Sequence, residues 1–324
     1  MVKFGVIGAG RIANVFATSM KVTSNGQLQA VASRNLKRAE DFKEKYGFEK
    51  AYGSYQALYE DSSVDCIYVA TPHGLHYEQM MEILDYGKHI LCEKPFTLNH
   101  KQAQAVFKKA KEKKLFVMEA MWTRFLPVIK AVKQKVDEGM IGTIKHLEAT
   151  FHFNPEKNNE DRLFKRELGG GALLDIGIYP ITFANLFLGR PNEVSSEVRM
   201  YKTGVDLEET ITYHYDTAQA VLKASLDKED KRDAVIIGSK GTIIVPRFWE
   251  AQKAMVYDTN NHLLETIEYK HEAAGFEYEI QEVINCIQNG KLESGIMPAS
   301  ETIEILKQMD NLRQSWGLTY PQEK

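Results

Sequence analysis

Cysteine is scarce in this 324-residue chain, and its scarcity argues against a disulfide-stabilised fold or a zinc site built on thiolates. The three cysteines, Cys66, Cys92 and Cys286, are odd in number and lack the paired spacing that a zinc site or a disulfide framework requires. Free thiols are typical of proteins that work in a reducing compartment. The sequence therefore predicts a cytoplasmic protein.

An excess of charge of one sign and long apolar runs are also missing. The formal net charge of -3 gives no field to attract a polyanion, and no basic stretch alternates with aromatic residues as in nucleic-acid-binding proteins. No uninterrupted apolar run approaches the roughly 20 residues that cross a bilayer. We therefore expect no nucleic-acid partner, no membrane partner and no export signal.

The order of apolar segments predicts two domains, as the length of the chain also does. Up to residue 121, short apolar segments alternate with longer helical patterns, which is typical of a parallel sheet with helices on both faces. The predicted strands are 3–7, 28–33, 66–70, 89–92 and 115–119, and the helices between them include 76–86 and 100–113.

A different pattern follows, and we predict that residues 122–324 form a second domain with a large, mainly antiparallel sheet. Its predicted strands are 144–154, 210–215 and 219–226, and its predicted helices are 126–138, 172–188, 277–288 and 300–316. The predicted fold class is therefore α/β for both domains, with boundaries 1–121 and 122–324.

A glycine-rich turn lies between the first predicted strand and the first predicted helix. Residues 8–13, Gly-Ala-Gly-Arg-Ile-Ala, match the G-x-G-x-x-G/A pattern of dinucleotide-binding βαβ units. Gly8 permits the tight turn, Gly10 lets the backbone approach a pyrophosphate, and small Ala13 lets helix and strand pack closely. Backbone N–H groups at the helix start, from Arg11 and Ile12 onward, then face the phosphate oxygens.

The end of the second strand indicates which cofactor binds. A carboxylate there accepts from the ribose 2′-hydroxyl of NAD, but this chain has Ser33 and Arg34, with Arg38 one turn further. A hydroxyl and guanidinium groups suit a 2′-phosphate. NADP is therefore the predicted cofactor. NAD stays possible, because Arg34 and Arg38 are alternatively solvent-facing charges at a helix start.

A Glu-Lys-Pro-Phe sequence at residues 93–96 follows the fourth predicted strand, and with it the chain resembles the Gfo/Idh/MocA family of nicotinamide-dependent oxidoreductases. Three longer segments, 118–125, 170–179 and 203–206, are similar to its branch of dimeric dihydrodiol dehydrogenases and NADP-dependent D-xylose dehydrogenases. The resemblance implies a Rossmann domain, then an α/β domain whose open antiparallel sheet mediates a homodimer or higher homo-oligomer.

The resemblance also implies which residues line the cofactor and the substrate. The residues expected around the nicotinamide are Thr71, Pro72, His73, His76, Glu93, Lys94 and Trp122. For the substrate pocket, it implies His73, Trp122, Phe151 and Tyr179. His73 and His76 have metal-ligand spacing, but no third ligand is evident, so we expect no metal site.

Oxidation of an alcohol needs a group that takes the hydroxyl proton as the hydride leaves. Tyr179 follows Asp175 by four residues on a predicted helix, so both side chains share one face. A phenol, with an ordinary pKa of about 10, becomes a better base beside an ammonium group. We therefore assign Tyr179 as proton acceptor, Lys94 as its electrostatic helper and Asp175 as an orienting carboxylate. Lys94 as the base itself is the alternative.

These predictions describe an NADP-dependent oxidoreductase that transfers a hydride between the nicotinamide and a secondary alcohol carbon of a small polyol, sugar or trans-dihydrodiol. Two alternatives stay open. The substrate is a different aldose or cyclitol, since sequence spacing does not reveal pocket shape; or the chain is a catalytically silent NADP-binding regulator, against which both Lys94 and Tyr179 argue.

Overall fold

The computed structural model describes residues 1–323, which fold into two compact units. The first unit contains Met1–Trp122 together with His271–Leu306, and the second contains Thr123–Lys270 together with the residues from Lys307 onward. Each unit has a sheet of its own.

A six-stranded parallel sheet forms the first unit, in the order β3-β2-β1-β4-β5-β6. The strand order reverses between β1 and β4, and in such sheets ligands bind at the carboxyl ends of the strands beside this reversal. The elements of this part are β1 (Val2–Ile7), α1 (Arg11–Met20), β2 (Gly26–Ala32), α2 (Leu36–Tyr46), β3 (Lys50–Tyr52), α3 (Tyr55–Tyr59), β4 (Cys66–Val69), α4 (His76–Asp85), β5 (His89–Glu93), α5 (His100–Lys113) and β6 (Val117–Ala120).

The five strands predicted for this unit are all present, and no predicted strand end differs from the observed one by more than two residues. The short strand β3 and helix α3 were not predicted, because three half-buried residues and a five-residue helix carry too little periodicity. The central strands β1 and β4 are almost completely buried, and the ring of Phe16 on α1 stacks on Tyr68 of β4 at 4.0 Å between centroids.

The second unit is built on an eight-stranded sheet in the order β14-β13-β12-β11-β7-β10-β9-β8. Only β7 and β10 pair in parallel, and every other neighbouring pair is antiparallel. The predicted α/β fold class, with one parallel and one mainly antiparallel sheet, is therefore confirmed. The elements are α6 (Pro127–Asp137), β7 (Ile144–His152), α7 (Ile178–Leu188), β8 (Glu193–Met200), β9 (Asp206–His214), β10 (Gln219–Ser225), β11 (Asp233–Gly238), β12 (Gly241–Pro246), β13 (Lys253–Asp258) and β14 (Leu263–Glu268).

The apolar stretch predicted as one helix over 172–188 consists of two parts. A π-helical turn, Leu173–Gly177, precedes α7. Among the described residues one helical stretch, Arg166–Leu188, is long and apolar enough to cross a membrane, but 78% of its apolar window is buried inside the protein. It therefore behaves as the core helix of the second unit.

The last predicted helices correct the domain assignment. Helix α8 (Glu277–Gln288) packs against α1 and β1, and α9 (Ala299–Ser315) begins in the first unit and continues into the second. The side chain of Ser19 donates to Glu277 at 3.1 Å, and the backbone N–H of Ser24 donates to Gln281 at 2.8 Å. Residues 271–306 thus complete the parallel-sheet unit, whereas the sequence pattern had assigned all of 122–324 to the second domain.

Candidate active site

The glycine-rich turn has the geometry that a bound pyrophosphate requires. Gly8 has a φ of 92°, and a Cβ at this position would lie 2.7 Å from the carbonyl oxygen of Ala70. A Cβ at Gly10 would meet no described protein atom nearer than 4.0 Å, so nothing in this unit fills the space beside it. Helix α1 starts directly after Gly10, and within residues 1–323 no side chain caps its start. Arg11 and Ile12 supply the first of its N–H donors.

The residues predicted to select the 2′-phosphate follow β2. Ser33 is buried and its hydroxyl accepts from the N–H of Asn35, whereas Arg34 and Arg38 are exposed. The Nε of Arg38 donates to the carbonyl oxygen of Ala9 at 2.8 Å, which ties its side chain to the glycine-rich turn. No acidic residue occupies the first turn of α2. The loop therefore presents cations and no carboxylate beside the dinucleotide turn.

The loop after β4 holds the next predicted residues. The Thr71 hydroxyl donates to Gln79 at 2.5 Å, and Pro72 precedes a short 3-10 helix that starts at His73. The His73 ring lies against that of His76, with 5.9 Å between centroids.

His76, which is expected near the nicotinamide, lies between two backbone carbonyl groups. Its ring is completely buried, and its two nitrogens lie 3.0 and 2.8 Å from the carbonyl oxygens of Pro95 and Thr71. Burial lowers the pKa of His76, so the ring is held neutral between the two carbonyls. A neutral imidazole donates from one nitrogen only, so one of these two carbonyl oxygens accepts a hydrogen bond from the ring, and the tautomer decides which.

Lys94 lies directly after β5, at the carboxyl end of the parallel sheet, and its side chain is half-buried. The preceding Glu93 is buried; it accepts a short hydrogen bond from the Tyr68 hydroxyl and a 3.2 Å bond from the Lys94 backbone N–H. The position of Lys94 beside the strand ends fits a role at the cofactor, while its neighbour Glu93 faces the protein interior.

Trp122, the last residue of the first segment, belongs to an aromatic group in the first unit. Its ring lies 4.9 Å from that of Phe276 and 6.4 Å from that of His271, between centroids. The sequence predicted Trp122 alone. Phe276 and His271 were missed because they lie about 150 residues away along the chain, without a motif of their own.

The second unit brings Phe151 and Tyr179 together, as the sequence-based assignment to one pocket requires. Their ring centroids are 5.6 Å apart, and Phe151 also stacks on Trp249 at 4.1 Å. The guanidinium of Arg247 lies 5.4 Å from the Trp249 ring. All three aromatic residues are buried, and each is 6–8% exposed. We call Phe151, Tyr179 and Trp249 the aromatic wall.

Asp175 lies in the π-helical turn and is held by an ion pair. Its Oδ1 accepts from Arg162 at 2.9 Å, and its side chain is about 10% exposed whereas that of Arg162 is 40% exposed. Beneath this turn, Asp206 accepts from the Leu173 N–H at 2.5 Å, and burial raises the pKa of Asp206 to about 6. Arg162, from the preceding loop, carried no signal in the sequence.

Residues 2–121 match the Gfo/Idh/MocA oxidoreductase family with its NAD-binding Rossmann fold, and residues 129–244 match the C-terminal domain of the same family. The chain belongs to the Gfo/Idh/MocA family. The resemblance carried by the dinucleotide turn and residues 93–96 is thereby confirmed, and the chain is an NAD(P)-dependent oxidoreductase. The described residues contain no group of three or more His, Cys, Asp or Glu side chains placed to hold a metal ion.

Relatives within the family cover nearly the whole chain. A trans-1,2-dihydrobenzene-1,2-diol dehydrogenase from Xenopus tropicalis is 33% identical over 98% of this chain and 99% of its own length. The human enzyme of the same name is 32% identical over 99% of each chain. Among solved structures, a 3-ketoreductase from Actinomadura kijaniata in complex with NADP and TDP-benzene is 28% identical, with a TM-score of 0.88 over 97% of each chain.

The site residues of this Gfo/Idh/MocA member divide between its two units. The dinucleotide turn, Ser33, Arg34, Arg38, the loop 71–76, Lys94 and Trp122 belong to the first unit. Phe151, Asp175 and Tyr179 belong to the second. Trp249 was missed by the sequence because it lies in a three-residue 3-10 helix between strands, outside any motif.

Proposed function

We propose that this chain is an NADP-dependent dehydrogenase that oxidises one hydroxyl-bearing carbon of a small cyclic diol of the trans-dihydrodiol class. The aromatic wall carries the proposal, because a group of packed aromatic rings, one pair of them stacked, suits the flat, unsaturated ring of a dihydrodiol. The name shared by the full-length curated relatives supports the same substrate class.

The residues that we assign to the cofactor suit the phosphate groups of NADP. The turn at Gly8 and Gly10 leaves space and free N–H donors for the pyrophosphate, and Arg34 and Arg38 present cations for the 2′-phosphate. When bound, NADP supplies the nicotinamide carbon that takes up the hydride. Lys94, at the carboxyl end of the parallel sheet, is the side chain that we assign to the nicotinamide end of the site.

The proton of the substrate hydroxyl needs an acceptor among the protein side chains. We assign this role to Tyr179, whose ring contacts Phe151 of the aromatic wall. Lys94 stabilises the phenolate as a cation and donates to the substrate oxygen. Asp175, fixed by Arg162, orients the substrate or Tyr179. The alternative, in which Lys94 itself takes the proton, requires the same two side chains in exchanged roles.

The test is turnover of NADP with trans-1,2-dihydrobenzene-1,2-diol, compared with D-xylose and a cyclitol. For the diol, we expect Tyr179→Phe and Lys94→Met each to lower kcat by roughly 10²–10⁴-fold, the usual contribution of an acid–base group. Exposed residues of the same units give matched controls, Tyr269→Phe and Lys101→Met, which should keep normal turnover.

Near-normal turnover of either active-site variant would remove that residue from the mechanism. Tight NADPH binding without turnover of any of these compounds would favour a catalytically silent regulator instead.

A sugar substrate is the second candidate. The solved 3-ketoreductase, which is bound to NADP and TDP-benzene, supports it through its full-length similarity. D-xylose oxidation faster than that of the diol would favour this alternative and would place the chain with the D-xylose dehydrogenases.

We further propose that the enzyme is a cytoplasmic homodimer that pairs through its antiparallel sheet. Strands of this sheet expose apolar side chains, among them Val194 of β8, Ile237 of β11 and Leu263 of β14. Exposed apolar groups on a sheet are typical of protein interfaces. A monomeric mass in light scattering at micromolar concentration would contradict the dimer.

A further inference from the structure

Four carboxyl groups of the first unit are buried, and three of them interact with one another. The fourth, Glu277, accepts from Ser19 and from the N–H of Gly275 instead. Glu93 ends β5, Glu119 lies on β6 and Glu279 lies in the first turn of α8. They are 6%, 1% and 0% exposed, respectively. Buried acids are rare unless they are paired, because transfer of a charge from water to the interior is costly. We call these three residues the carboxyl cluster.

The three members differ in their hydrogen bonds. Glu119 accepts from the Phe96 N–H at 3.0 Å and from the Thr302 hydroxyl at 2.9 Å, so each of its oxygens has a donor. Glu93 accepts from Tyr68 and from the Lys94 N–H. Neither oxygen of Glu279 has a hydrogen-bond partner within the described part of the chain. Glu93 and Glu119 therefore have the surroundings of carboxylates, and Glu279 has those of a neutral acid.

Lys94 is one of the groups that influence the ionisation of Glu119. The pKa of Glu119 is raised to about 7, chiefly by burial and also by the charge of Glu93, and the hydrogen bonds from Thr302 and the Phe96 N–H and the Lys94 ammonium oppose this rise. Cys92 and Glu279 are the other titratable groups that interact with Glu119, and burial keeps both neutral because it raises the pKa of each well above its ordinary value. Lys94 is thus a cation that interacts with Glu119, whose carboxylate accepts from the N–H of Phe96, two residues after Lys94. His76 also interacts with Lys94, and burial lowers the pKa of its ring.

The interaction of two charges is reciprocal. If the Lys94 ammonium favours ionised Glu119, then ionised Glu119 favours the ammonium form of Lys94 to the same extent. The hydrogen bond from Thr302 takes part in this balance, because it stabilises the carboxylate more than the neutral acid.

We propose that Glu119 is a positioning residue of the hydride-transfer reaction. Its carboxylate supplies a negative charge that interacts with Lys94 and thereby fixes the protonation state of the Lys94 amine. The inference rests on the proposed function, since it assigns Lys94 to the reaction. Glu119 itself makes no bond to the substrate and exchanges no proton with it.

The principal test is Glu119→Gln. The amide has the same shape, and its oxygen still accepts from the Phe96 N–H, but the negative charge is removed. Because an opposite charge stabilises the ammonium, we expect the pKa of Lys94 to fall in this variant. The limb of the kcat/KM pH profile that reports Lys94 should move to lower pH by the same amount, whether Lys94 acts as helper or as base.

A second readout does not require turnover. The rate at which acetic anhydride acetylates the Lys94 amine, measured by mass spectrometry between pH 6 and 11, reports its deprotonation in the free enzyme. Lys101, exposed on α5, is the internal reference in each spectrum, and exposed Glu112→Gln is the matched control variant. We expect the labelling midpoint of Lys94 to be lower in Glu119→Gln and unchanged in Glu112→Gln.

Thr302→Val keeps the test decisive if Glu119→Gln does not fold. Loss of the hydroxyl donor keeps Glu119 protonated to higher pH, so the midpoint of Lys94 should shift in the same direction by a smaller amount. Profiles and midpoints that coincide with those of the wild type in the folded variants would overturn the inference. A wild-type enzyme without turnover would overturn the proposed function, and the labelling midpoints would still decide the inference about Glu119.

Discussion

Arg34 and Arg38 differ in what fixes their side chains, although both follow the second strand of the parallel sheet. Arg38 is bonded through Nε to the carbonyl oxygen of Ala9, so it also supports the dinucleotide turn. Arg34 is exposed and follows the buried Ser33 directly. A change at Arg34 therefore separates recognition of the 2′-phosphate from the structure of the turn more cleanly than a change at Arg38.

We expect Arg34→Ala to weaken NADPH binding by roughly tenfold or more, since a hydrogen bond to a charged group contributes about 1.5–3 kcal/mol. NADH has no 2′-phosphate, so its Kd should stay unchanged. Fluorescence titration of both reduced cofactors measures the two constants. Lys37→Ala is the matched control, because Lys37 is exposed on the same turn and pairs with Asp41 at 2.5 Å. If the binding of NADPH and of NADH weakened equally, Arg34 would not be the residue that binds the 2′-phosphate.

The residues that could be predicted are those that belong to a local pattern. Gly8 and Gly10 occur at a fixed spacing after a strand, and Lys94 lies in a short motif after another. Trp249 could not be found in this way, because its contact with Phe151 joins two distant segments of the chain. The surroundings of the His76 ring could not be predicted for a related reason, since they include the loop at Pro95.

At the scale of single elements, the π-helical turn before α7 shows why one apolar stretch did not form one regular helix. Buried Glu209 of β9 lies beneath this turn, where a Cβ at Gly177 would come within 2.5 Å of its Oε1. Neither oxygen of Glu209 has a hydrogen-bond partner among residues 1–323, and burial raises the pKa of Glu209 well above its ordinary value. Apolar periodicity alone does not reveal that a side chain from a distant strand occupies this space.

Gly177→Ala should therefore destabilise the protein, by about 1–3 kcal/mol, the usual cost of an extra methyl group in a packed interior. Shortening the side chain beneath the turn with Glu209→Ala should relieve this cost, so that the double variant is more stable than the sum of the two single changes predicts. Urea unfolding of the wild type and the three variants measures this coupling. Strict additivity would mean that Glu209 is not the group that requires glycine at position 177.

At the scale of the whole molecule, the parallel-sheet unit is discontinuous along the chain. Its sheet and first five helices come from residues 1–122, and its cover over α1 and β1 comes from α8. The amphipathic pattern of α8 predicts a helix with one buried face, but not which sheet that face covers. Hence the helix over 277–288 was found with its correct bounds and assigned to the wrong domain.

This arrangement predicts how fragments of the chain behave. Ile280, Val283 and Ile284 of α8 are completely buried, and at roughly 1.5–3 kcal/mol for each side chain their loss rivals the roughly 5–15 kcal/mol by which a whole domain is stable. We therefore expect residues 1–122 alone to unfold without a cooperative transition and to bind no NADPH.

The same segment joined to 271–306 should fold and bind NADPH. The two ends to be joined are close, since the rings of Trp122 and His271 lie 6.4 Å apart; a linker of about six Gly and Ser residues, which spans up to roughly 20 Å, is long enough. Circular dichroism during heating and NADPH fluorescence measure folding and binding in both fragments. A control with 271–306 in which Ile280, Val283 and Ile284 are all replaced by Ser should behave like residues 1–122 alone. If residues 1–122 bound NADPH as tightly as the joined fragment does, α8 would be dispensable for the dinucleotide site, and the assignment of 271–306 to this unit would describe proximity without a stabilising role.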